Sequence, residues 1–198
     1  MGRDESPMLR VRDAATRNDV EYLIAALRDP EARDSAARHL GRLGVKDAVP
    51  SLIANLEARD DGHRIAVAKA LERIGDPRAI PRLMEVATKD EAFGVRATAI
   101  DSAATLGDPR AIRLLAEIAI DPRAIAASTQ RMTDMPLIRR STRRSLRSMR
   151  KWAAKRLIAI GATEALPLLE AAIPSAPLIR RMQLSRTVTS LRARTTPA

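Results

Sequence analysis

The chain has 198 residues, a net charge of +11, no cysteine and only three aromatic side chains, Tyr22, Phe93 and Trp152. The lack of cysteine excludes disulfides, thiol nucleophiles, cysteine-ligated zinc and iron–sulfur clusters, so packing alone must hold the fold. Ala, Leu, Ile and Arg dominate, a composition of close-packed helices rather than of a sheet, in a chain of the right length for one domain or one short repeat array.

The opening residues, MGRDESPMLRVRD, are charged and lack the apolar core of a signal peptide, and one of the two longest uncharged runs, Ala171 to Ile179, contains two prolines. A soluble cytoplasmic protein is expected. Residues 1–18 read as an N-terminal segment with a short leading helix at about 5–17. Residues 19–194 read as a single repeat domain with a basic insertion at about 121–150, and residues 195–198 as a disordered tail. Apolar periodicity predicts helices at about 19–28, 31–43, 47–58, 63–74, 77–88, 92–106, 109–120, 137–160, 163–173 and 177–194.

Four segments align on a glycine: LGVKDAVPSL from Leu43, IGDPRAIPRL from Ile74, LGDPRAIRLL from Leu106 and IGATEALPLL from Ile160. Gly44, Gly75, Gly107 and Gly161 are spaced by 31, 32 and 54 residues. Four residues before each glycine stands Leu40, Leu71, Ala103 or Leu157; four after it stands Ala48, Ala79, Ala111 or Ala165; and eight after it Leu52, Leu83, Leu115 or Leu169. Apolar positions three and four apart on both sides describe two amphipathic helices joined at the glycine. Glycine accepts the left-handed conformation that ends a helix, while Asp76-Pro77 and Asp108-Pro109 supply a capping side chain and a proline at the first helical position. The expected fold is an all-α, HEAT-like α-solenoid, a right-handed superhelix of about five helical hairpins. Its last helix, LIRRMQLSRTVTSLRAR, lacks a terminal glycine, as suits a capping element.

The motif GDPRAIP followed by an Ala-rich helix resembles the phycobilisome-lyase type of HEAT-like repeat, over roughly residues 19–173. That repeat class serves bilin lyases, the deoxyhypusine hydroxylase family and many adaptor proteins, so the resemblance implies the fold far more strongly than an activity. In the hydroxylases similar repeats carry His-Glu pairs that bind two irons. Here His39 precedes Leu40 and His63 precedes Arg64, so the pairs are missing and no metal site is assigned; both histidines are expected to be ordinary surface or helix-start residues. The bilin lyases work on a tetrapyrrole with a partner subunit, but no cluster of His, Tyr or Trp that would cradle a ring system stands out. No cofactor is assigned.

An arginine lies eleven residues before each repeat glycine: Arg33, Arg64, Arg96 and Arg150. Because it recurs with the repeat, it is expected to bond neighbouring carboxylates or helix-end carbonyls. Asp60-Asp61 and Asp90-Glu91 stand just ahead of a second helix, where acidic groups cap and favour the helix dipole, and no catalytic residue is assigned.

The repeat is broken by about 22 extra residues between Gly107 and Gly161. Residues 121–198 hold 16 Lys/Arg against 4 Asp/Glu, whereas residues 1–120 hold 19 against 20. Within the break, Arg139, Arg143, Arg147, Lys151 and Lys155 follow at intervals of four, with Arg140, Arg144 and Arg150 beside them. Like charges at that spacing repel unless something anionic lies nearby. The stripe suits RNA or DNA, an acidic protein or, more distantly, a membrane surface. A solvated face, or a contact with the acidic first half, explains it equally well.

On this reading the chain is a non-enzymatic, monomeric or weakly associating scaffold that holds a macromolecular partner, most naturally a protein. The partner would lie on a concave face bearing Arg38, Lys69, Asp101, Lys155 and Arg156, with His39, Ala70 and Ser102 in the adjoining column. The alternatives are nucleic-acid binding through Arg139–Arg156 and the basic last helix, resembling in a general sense the HEAT-like DNA glycosylases without their chemistry, and a bilin-lyase-like protein.

Overall fold

A computed structural model describes residues 6–122 and 143–194, and among these every regular element is helical. The chain divides into two compact units, Met1–Leu106 and Gly107–Ala198. Unit 1 contains α1 (Pro7–Thr16), α2 (Val20–Ala26), α3 (Arg33–Leu43), α4 (Val49–Asn55), α5 (Asp61–Ile74), α6 (Ile80–Lys89) and α7 (Phe93–Thr105). Here α5 packs between α3 and α7, with α4 against α5 and α6 against α7. Unit 2 contains α8 (Pro109–Ile120), α9 (Arg143–Ile160), α10 (Leu166–Ala172) and α11 (Leu178–Arg192). In it α8 packs on α9 and α10, and α11 lies against both α9 and α10. The expected tail at 195–198, and the part of the basic insertion at 123–142, lie outside the described residues.

The glycine turns behave as their chemistry requires. Gly44, Gly75, Gly107 and Gly161 have φ of 67°, 75°, 86° and 68°, left-handed values that cost a side-chain-bearing residue about 1–2 kcal/mol. Asn18, at φ 56°, takes the same role after α1, and Asp19 then caps α2 by accepting the Tyr22 amide at 3.0 Å. Asn-Asp thus replaces Gly-Asp at the first junction, which is why no glycine marks it.

The predicted restart of each repeat as α-helix is corrected in three of four cases. A 3-10 turn at Lys46–Ala48, Pro77–Ala79 or Thr163–Ala165 precedes α4, α6 or α10. Pro50, Pro81 and Pro167 stand six residues after their glycines and have no N–H with which to close the first α-turn. The chain instead tightens into three-residue bonds such as Ala79 N–H to the Asp76 carbonyl at 3.2 Å. The remaining repeat carries Arg113 at that place, and α8 is regular from Pro109.

The repeat columns are the core. Leu52, Leu83, Leu115 and Leu169 are fully buried, as are Ala48, Ala79 and Ala111, and Leu40, Leu71, Ala103 and Leu157. Each such leucine contributes about 1.5–3 kcal/mol by leaving water.

Candidate functional site

The polar groups of unit 1 are mostly structural. Arg33 donates to Asp60 at 3.0 Å. Arg64 donates from Nε to Asp90 at 2.8 Å and from Nη1 to the Ala58 carbonyl at 2.6 Å. Arg96 donates to the carbonyls of Asp90 and Glu91 at 2.5 and 2.8 Å. Each arginine ties the second helix of its repeat to the turn that opens a second helix, its own or the next one along. The bond to Asp90 holds the Arg64 guanidinium above its ordinary pKa despite burial. Asp60 caps α5 through the His63 amide, and Asp90 accepts the Ala92 amide. Both carboxylates are thereby committed to holding the fold.

The two histidines differ from expectation in one respect. His63 does stand in the first turn of α5, but it is fully buried. Its Nδ1 lies 2.6 Å from the Asp34 carboxylate and its Nε2 3.0 Å from Asn55 Oδ1, while the Asn55 amide nitrogen donates to the Ser51 carbonyl. The side chain thus ties α3, α4 and α5 together. His39 is half-buried against Arg42, and burial, then the charges of Arg42 and Arg38, push its imidazole below the ordinary value. Among the described residues no group of three or more His, Asp or Glu is arranged to hold a metal. No described helix is long and apolar enough to cross a membrane.

The columns expected to be exposed on a concave face are only partly surface. Asp101 is 6% exposed, and Ser102 and Ala70 are inaccessible. The reason is a polar network across α5 and α7: Lys69 donates to Asp101 and to Glu72, both at 2.8 Å, and Ser102 donates to Glu72 at 2.9 Å. Burial would lower the Lys69 ammonium, but its bonds to Asp101 and Glu72 hold it above its ordinary value. Arg38 in unit 1 and Lys155 in unit 2 are exposed, while Arg156 is half-buried.

In the basic stripe, Arg139 and Arg140 lie outside the described residues. Arg143 and Arg144 begin the described part of α9, and their side chains are likewise outside the description. Farther along α9, Arg147, Lys151 and Lys155 are exposed and Arg150 is half-buried. These four line a groove of about 600 Å³ in unit 2, joined across it by Arg186 of α11. Its apolar surface is Ala119 of α8, Ala154 and Ile158 of α9, and Leu184 of α11. Gln183, Thr187 and Ser190 add uncharged polar groups, and no carboxylate belongs to the described lining. Sequence reasoning named the stripe on α9 and the basic last helix but did not single out Arg186, because helical periodicity says nothing about which face of a later helix packs alongside.

Three of the described carboxylates of unit 2 are engaged by arginines outside the groove. Asp108 caps α8 and pairs with Arg110 at 2.8 Å, Glu117 pairs with Arg113 at 3.0 Å and Glu170 with Arg192 at 2.7 Å. Burial raises the Asp108 carboxyl, but bonds from the Arg110 side chain and from the Ala111 and Arg110 amides outweigh it and hold the group below its ordinary value.

Residues 20–102 match the family of HEAT repeats. The chain is 39% identical over 98 residues to phycocyanobilin lyase subunit alpha of Nostoc sp. strain PCC 7120, covering 45% of this chain and 34% of the relative. It is 43% identical over 75 residues to the bilin biosynthesis protein PecE of Mastigocladus laminosus, covering 37% and 28%. It therefore spans about a third of the length of the curated relatives it matches. Among solved structures it is similar to the complex of CpcE and CpcF of phycocyanin lyase from Nostoc sp. PCC7120, with a TM-score of 0.51 and 25% identity over 96% of this chain and 91% of that chain. These matches overturn the expectation of a non-catalytic scaffold and that of a chain with no part in an enzyme, since the relatives include a phycocyanobilin lyase subunit and a bilin biosynthesis protein. The lack of a cluster of aromatic and histidine side chains does not argue against a bilin, because a ligand groove needs mainly apolar lining and a small number of placed polar groups. Repeat chemistry, core columns and relatives agree: the chain is a HEAT-repeat protein, an α-solenoid of the phycobilisome-lyase HEAT-like repeat type.

Proposed function

We propose that this chain is a subunit of a bilin lyase, that its substrate is a linear tetrapyrrole, and that it works with a second protein subunit. The observation that carries this reading is the likeness to the CpcE–CpcF complex over 96% of this chain and 91% of that one. Identity of 38% to 43% with the bilin-protein relatives over shorter stretches supports it. A HEAT-like array offers long helical surfaces for a protein partner, and a single groove among them suffices for a small ligand.

The test is reconstitution. The purified chain is mixed with phycocyanobilin, apo-phycocyanin and a CpcF-type subunit, and covalent bilin on the acceptor is read by zinc-enhanced fluorescence after denaturing electrophoresis. Labelling, or bilin release from the loaded acceptor, that requires this chain is the expected result. Equal labelling and equal release with and without it refute the proposal.

A further inference from the structure

The groove between α9 and α11 combines a row of cations with an apolar lining. Arg147, Lys151 and Lys155 succeed each other at intervals of four residues, about 6 Å along the helix axis, and Arg186 faces them from another helix. Like charges at this spacing destabilise a helix by roughly 0.2–0.5 kcal/mol per pair, a cost removed when an anion sits among them. Asp108, Glu117 and Glu170 pair with other arginines. Between the cations lies an apolar surface of Ala119, Ala154, Ile158 and Leu184.

We propose that this groove is the tetrapyrrole site: the two propionates of a bilin bind among Arg147, Lys151 and Arg186, and its pyrrole rings lie on the apolar strip beside them. This inference rests on the bilin-lyase reading and adds to it the residues that recognise the substrate. A linear tetrapyrrole is a flat apolar body with two carboxylate arms on its inner rings, the complement of a strip of small apolar side chains flanked by cations. Arginine and lysine form charge-assisted bonds to carboxylates, and about 600 Å³ is a suitable volume for one small ligand. Single-stranded nucleic acid is the poorer occupant. Its binding sites stack bases on aromatic side chains, and no aromatic residue belongs to the described lining.

Trp152, the only tryptophan of the chain, stands on α9 next to Lys151, so a bilin in the groove quenches its fluorescence. The whole protein is titrated with biliverdin and, separately, with biliverdin dimethyl ester, which keeps the rings and removes both charges. The triple variant Arg147→Ala, Lys151→Ala, Arg186→Ala is compared with wild type and with Arg73→Ala, an exposed cation of unit 1. Biliverdin should bind the triple variant at least about tenfold more weakly, a change of about 1.4 kcal/mol, with Arg73→Ala unchanged. The ester should bind wild type at least as poorly, and the preference for free acid over ester should vanish in the triple variant. The ester comparison needs no mutation, so it holds even if the variant misfolds.

Equal affinity for acid and ester, or a folded triple variant within about twofold of wild type, overturns the groove assignment and leaves the lyase reading standing. Loss of affinity for a short RNA in the triple variant, with biliverdin binding intact, overturns it in favour of nucleic acid. If wild type binds no biliverdin the groove assignment also falls, and the acceptor-labelling experiment then decides the lyase reading separately.

Discussion

Gly41 lies buried in the last turn of α3, where helix propensity alone argues for replacing it: alanine in a helix is better by up to about 0.8–1.0 kcal/mol. The tertiary structure reverses the sign. A Cβ at Gly41 stands 2.7 Å from the Cα of Ala70 on α5, 3.0 Å from its Cβ and 3.1 Å from its carbonyl oxygen. These are backbone atoms and a methyl group, with no flexible end that swings aside. Gly41→Ala must therefore part α3 from α5 by roughly 0.5–1 Å, a gap that forfeits a quarter to a half of the attraction of each contact it opens. Overpacking of this kind costs about 1–3 kcal/mol, and the propensity gain offsets part of it. A net loss of about 1–2 kcal/mol is expected. Gly94→Ala is the matched control, because its Cβ meets only the tip of Ile65 at 3.5 Å; it should stabilise by about 0.4–1 kcal/mol. Urea unfolding followed by far-ultraviolet circular dichroism measures both midpoints. A higher midpoint for Gly41→Ala, or two shifts in the same direction, would refute the argument that close helix approach outweighs propensity here.

Leu83→Ala and Leu115→Ala, each at a fully buried position of the repeat column, should each cost about 2–5 kcal/mol in the same assay; a loss below about 1 kcal/mol would mean the column is not the core. The Asp108 carboxyl, held below its ordinary value, contributes stability that is present above the unfolded aspartate pKa and lost as pH falls through the lower folded value. Wild-type midpoints should accordingly be flat near neutral pH and decline in acid. Asp108→Asn should begin lower at neutral pH and decline less steeply, and an unchanged acid slope would show that Asp108 carries none of it.

The one-dimensional pattern of this chain determined a good deal. A glycine followed by an Asp-Pro cap and leucines four before and eight after it states where helices stop, restart and bury their faces, because those constraints act within a few residues of the backbone. Even the 3-10 turns before α4, α6 and α10 were implicit in Pro50, Pro81 and Pro167, since a missing N–H is a local fact. The arginine column was legible for the same reason: it recurs with the helix ends it serves.

Contacts between helices were not legible in that way. Lys69, Asp101, Ser102 and Glu72 close into a part-buried network, and Asp34, Asn55 and His63 into another, because helices far apart in sequence bring them within hydrogen-bonding distance. Gly41 reads as a weak helix residue until Ala70 is placed against it. Arg186 reads as one more basic residue until α11 lies beside α9 and makes a stripe into a groove. Helical periodicity determines which residues share a face, whereas the partner of that face depends on the tilt and register of the packed helices, which only the tertiary structure decides.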